Sequence, residues 1–198
     1  LDQGRLSASG FKFNLADLYL ESSQLAAPVD LVRLVGEIGW QREKGGEADV
    51  VQPVYARGLS LKSRTGVSTA PFDLSYRWGD GEQKLAAAHV SLNELAALSP
   101  VLPLEETWKT RLAKLAPKGN VDSMDLVWRG QLAAPEKFSV DARFTGLGWA
   151  AEGERPGAAN LSGMLAGDEE KGIYALTSKE AGFDLPAIIH LPLAIIIG

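Results

Sequence analysis

The chain is organised by a period of two. Phe72, Leu74, Tyr76 and Trp78 are interleaved with Asp73, Ser75 and Arg77, so a strand here puts its apolar residues on one face and its polar residues on the other. The same pattern runs through Phe138, Val140, Ala142 and Phe144, against Ser139, Asp141, Arg143 and Thr145. Val32, Leu34, Ile38 and Trp40 alternate with Arg33, Glu37 and Gln41, and Phe11, Phe13 and Leu15 with Lys12 and Asn14. Met124, Leu126 and Trp128 follow the rhythm less cleanly, because Val127 falls in the polar set. Turn signals separate the runs at Lys44-Gly45-Gly46 and Gly79-Asp80-Gly81. Asp168 to Gly172 predicts a hairpin joining Leu161–Ala166 to Ile173–Ser178. One-sided strands joined by short turns predict a largely antiparallel sheet with a single apolar face.

One region departs from this rhythm. Leu92 to Leu98 and Glu105 to Ala116 carry helical spacing, with Leu104, Trp108, Leu112 and Leu115 on one stripe. Glu105 and Glu106 at the start and Lys114 and Lys118 at the end suit the helix dipole. Pro117 and Gly119 stop the second helix. The expectation is therefore mainly β with minor α: a twisted sheet with two short helices laid over its end or face. The 198 residues form one module, β-rich over 1–91, helical over 92–118 and β-rich again over 119–198. A start without methionine and an abrupt apolar end, Leu191 to Ile197, suggest a piece of a longer protein.

Charge narrows the function classes. The net charge is −5 and the two signs are interspersed, which excludes the clustered basic surface that nucleic acid demands. The chain has no cysteine, so disulfides and thiolate metal sites are ruled out. Its two histidines, His89 and His190, are about a hundred residues apart, and no metal is expected.

Candidate chemistry dissolves on inspection. Gly146-Leu147-Gly148-Trp149-Ala150-Ala151 spells a loose dinucleotide fingerprint, yet Glu152-Gly153-Glu154-Arg155-Pro156-Gly157 cannot propagate the helix it must open. Ser9-Gly10-Phe11-Lys12 spells S-x-x-K in a segment that alternates like a strand, with no S-D-N or K-T-G partner. Asp168, Glu169 and Glu170 read as a solvated turn rather than paired catalytic carboxylates. Trp40, Trp78 and Trp128 each end an apolar face and Trp108 lies on the helical stripe, so packing explains them better than sugar stacking. No catalytic residue and no cofactor is expected. An envelope hydrolase is the weakest of the readings that remain.

A resemblance fills the gap. Leu95-Ala96-Ala97-Leu98 leads into Leu112-Ala113-Lys114-Leu115-Ala116-Pro117-Lys118-Gly119, then Leu126-Val127-Trp128-Arg129-Gly130 and Ala134-Pro135-Glu136-Lys137-Phe138. Phe144-Thr145-Gly146-Leu147-Gly148-Trp149, Leu161-Ser162-Gly163-Met164-Leu165-Ala166-Gly167-Asp168 and Phe183-Asp184-Leu185-Pro186 follow in order. This series resembles the YhdP-type members of the AsmA-like superfamily. The resemblance implies a bacterial periplasmic protein held in the inner membrane by an N-terminal helix outside this chain. It also implies a long twisted β-groove whose apolar lining shields phospholipid acyl chains between membranes. Phe72, Leu74, Tyr76, Phe138, Val140 and Phe144 are the candidate lining. A closed β-sandwich core, in a scaffold that binds envelope proteins through strand edges, accounts for the same alternation. Periodicity identifies an apolar face and leaves open what covers it.

Overall fold

A computed structural model describes residues 8–23, 25–41, 53–79, 81–132 and 134–185. The Lys44-Gly45-Gly46 turn, His190 and the Leu191–Ile197 run lie outside them.

The alternating segments become ten strands of one antiparallel sheet, as the period predicts. They are β1 (Ala8–Leu20), β2 (Val29–Gln41), β3 (Val54–Ser63), β4 (Phe72–Gly79) and β5 (Glu82–Ser91), then β6 (Lys118–Gln131), β7 (Ala134–Trp149), β8 (Gly157–Asp168), β9 (Gly172–Leu176) and β10 (Gly182–Asp184). β1 to β8 lie side by side in chain order, and the far edge of β8 pairs with both β9 and β10. The predicted hairpin is β8–β9, with Gly167 opposite Gly172. Gly146 lies inside β7 and Ser9 to Lys12 inside β1, so both motif spellings fall on strands.

Local irregularities keep the apolar face continuous where strict alternation fails. In β5, Ala87 and Val90 both pair with apolar residues of β6, although they are three positions apart. The β5–β6 register does not shift between them; His89, at φ 60°, breaks the alternation and brings Val90 onto the face of Ala87. In β2 a bulge, marked by the register shift between Leu31 and Arg33, breaks the alternation and makes Leu31 the buried side chain at that end rather than the predicted Val32. Such bulges also raise the local right-handed twist.

The helical insert joins β5 to β6 as α1 (Leu92–Leu98), a 3₁₀ turn (Ser99–Val101) and α2 (Glu106–Leu115). α1 packs on β5 and β6. Its Leu98 is fully buried with Leu31, Leu61, Phe72 and Val90, and Leu92, Leu95, Val101 and Leu102 pack around them. α2 differs from its amphipathic expectation. It buries no residue, and Trp108 and Leu115 of its apolar stripe are exposed.

Candidate functional site

Residues directly opposite one another in antiparallel strands share a face, so the register fixes the composition of each face. Rows of side chains run across the strands. One contains Val140, Leu126, Leu85, Tyr76, Val54 and Trp40. The next contains Ala142, Met124, Ala87, Leu74, Ala56, Ile38 and Phe11. To one side of them lies Phe138–Trp128–Gln83–Trp78. To the other lies Phe144–Val121–Val90, which leads into the helix-covered cluster.

All six lining candidates therefore lie on one face of one sheet. Phe72 is inside the helix-covered cluster, 4% exposed, and Leu74 packs against its margin. Phe138, Val140 and Phe144 are half-buried, while their neighbours Ser139, Asp141 and Arg143 on the other face are exposed. Tyr76 is 36% exposed. Farther along the same face Trp78, Val54, Ile38 and Phe11 are exposed as well. Among the described residues no second sheet lies over these rows.

The opposite face carries the charges. Lys12 pairs with Glu37, Lys84 with Asp125, and Glu82 with both Arg77 and Arg129. Tyr55 lies across the neighbouring glycines of β1 and β2, and its hydroxyl donates to Glu37 Oε1 at 3.1 Å. A Cβ on Gly39 would meet the Tyr55 ring and hydroxyl at 2.5–2.6 Å, so glycine is what admits the ring there. Burial of the hydroxyl and its bond to Glu37 push the Tyr55 pKa upward.

Among the described residues no three His, Asp or Glu side chains converge as a metal set. Asp168 Oδ1 accepts from the backbone N–H groups of Glu170 and Lys171, which lowers the Asp168 pKa and makes it a turn cap.

Some members of the face were hidden in the sequence. Leu85 and Ala87 lie in an alanine-rich stretch where both faces are small and apolar, so β5 gives only a weak period. Gln83 is polar, and only the register places it beside Trp128.

A family profile described as YhdP protein matches residues 1–196, nearly the whole chain. The chain belongs to the YhdP family. YhdP proteins are bacterial envelope proteins of the AsmA-like type, and the open, mainly β sheet agrees with that assignment. No curated protein and no solved structure matched. Among the described residues no helix is long and apolar enough to cross a membrane.

Proposed function

We propose that this YhdP-family chain conducts phospholipid between the inner and outer membranes, with acyl chains lying on the uncovered half of its apolar face. The observation that supports this is the set of cross-strand apolar rows left half-exposed on a single sheet, beside a charged face that suits water. Each acyl methylene withdrawn from water contributes about 0.8 kcal/mol, so a broad apolar surface holds lipid without a sequence motif. The protein acts in the periplasm, anchored by a helix outside this chain. It needs no cofactor and performs no covalent chemistry.

The scaffold reading retains one supporting observation. Among the described residues β1 is a 13-residue edge strand with one side unpaired, a surface on which a partner's strand can add. Its closed-sandwich form has no second sheet among the described residues.

The test is quenching of tryptophan fluorescence in the purified protein by phospholipid brominated on its acyl chains. Saturable quenching that Val140→Asp abolishes is the expected result. Quenching absent from the unaltered protein would overturn lipid conduction in favour of the scaffold.

A further inference from the structure

The uncovered end of the apolar face holds a polar group that the packing does not explain. Among the described residues the indole N–H of Trp128 is buried without a hydrogen-bond partner, and the residue as a whole is only 5% exposed. Leaving such a donor unpaired costs about 1–3 kcal/mol, although a polar side chain stands directly opposite it. Gln83 pairs with Trp128 across β5 and β6, but both ends of its amide are engaged. Its Oε1 accepts from the Tyr76 hydroxyl at 2.7 Å and its Nε2 donates to the Gly130 carbonyl at 3.1 Å. Tyr76 stacks on Trp78, with centroids 5.5 Å apart, and its ring lies 6.2 Å from that of Trp128. Beside them is an open depression of about 560 Å³ lined by Tyr76, Trp78, Gly79, Gly81, Glu82 and Gln83.

We infer that this cluster is a station for the acyl-ester group of the lipid, with the Trp128 N–H donating to the ester carbonyl oxygen. The inference rests on the proposed lipid path and names the atom recognised there. Three observations converge on it. The cluster lies at the end of the apolar face opposite the helix-covered core, where a chain on the rows below would reach its polar end. Tyrosine and tryptophan pair an apolar body with a polar tip, as the boundary between hydrocarbon and headgroup requires. The charge pattern selects the ester over the phosphate, because among the described residues the rows containing Tyr76 and Trp128 hold no charged residue. Arg77, Lys84, Arg129 and Lys137 belong to the register rows of the other face. A neutral donor in a neutral row matches a carbonyl, whereas a phosphate calls for the cations.

The experiment compares a 1-acyl lysophospholipid with its 1-O-alkyl ether analogue, which lacks the carbonyl, by calorimetric titration of the purified full chain below micelle-forming concentrations. The unaltered protein should bind the ester about three- to tenfold more tightly. Trp128→Phe keeps an aromatic ring and deletes the donor, so it should bring the ester-to-ether affinity ratio to about one, whatever the smaller ring does to the absolute affinity of both lipids. Equal affinities for ester and ether in the unaltered protein overturn the ester station and leave the apolar path standing. A preference that survives Trp128→Phe also overturns it, since another group would then recognise the ester. Failure to bind either lipid removes the path itself and the station with it.

Discussion

The two ends of the apolar face are built from similar alternating strands and differ in what lies above them. At one end α1 and the 3₁₀ turn bury Phe72, Val90, Leu61 and Leu31 around Leu98. At the other, Tyr76, Trp78, Ile38 and Val54 stay exposed on strands of the same register. Alternation gives a strand its face, but the cover comes from an insert of some two dozen residues between β5 and β6. A soluble protein seldom leaves so many contiguous apolar side chains in water unless they have a ligand or a partner. The covered end holds the buried cluster, and the open end leaves its apolar side chains exposed.

Substitutions that place the same chemistry at the two ends should break this equivalence. Val90→Asp puts an unpaired carboxylate among the buried residues and should unfold the chain or cost at least about 4 kcal/mol. Val140→Asp, on a half-buried row with solvent access, should cost about 1–2 kcal/mol and still abolish lipid binding. Denaturant titration followed by circular dichroism measures both. Phe72→Ala should lose about 3–5 kcal/mol by the same assay, against about 1 kcal/mol or less for Trp78→Ala.

A smaller effect is expected at α2. Because Trp108 is 55% exposed and no α2 residue is buried, Trp108→Ala should change stability by about 1 kcal/mol or less. A loss like that of Phe72→Ala would mean that α2 seals the core after all. The smallest effect belongs to the β8–β9 turn. The folded Asp168 pKa is lowered, chiefly by the Glu170 and Lys171 amides, so its contribution is present above the ordinary carboxylate range. That contribution fades as pH falls through the depressed folded value. Amide exchange at Ala166 and Ile173 should accelerate in that acidic window, while exchange in the helix-covered strands should not.

How much of this was legible in the sequence follows from the physics of each signal. The strands around Phe72 and Phe138 and the β8–β9 hairpin were readable because apolar and polar residues alternate without ambiguity and the turns carry glycine or aspartate. β5 was obscured by Ala86, Ala87 and Ala88, which suit either face. The assignment of Val32 over Leu31 failed because a bulge breaks parity, and parity is all that periodicity measures. The stripe on α2 was real as a pattern, yet a stripe does not specify a partner, and Trp108 faces solvent. The six lining candidates could be placed on apolar strand faces from the sequence. Only the register shows that they share one face, and only the helical insert separates Phe72 from the rest.

The most direct test of the divided face is site-specific photo-crosslinking in the full-length protein in cells, with the probe in turn at Tyr76, Val140, Phe72 and Ser139, and adducts identified by mass spectrometry. Tyr76 and Val140 should capture phospholipid through its acyl chains, Phe72 should crosslink within its own chain, and Ser139 should yield no lipid. Phospholipid adducts of equal yield at all four positions, or at none of them, would contradict the account.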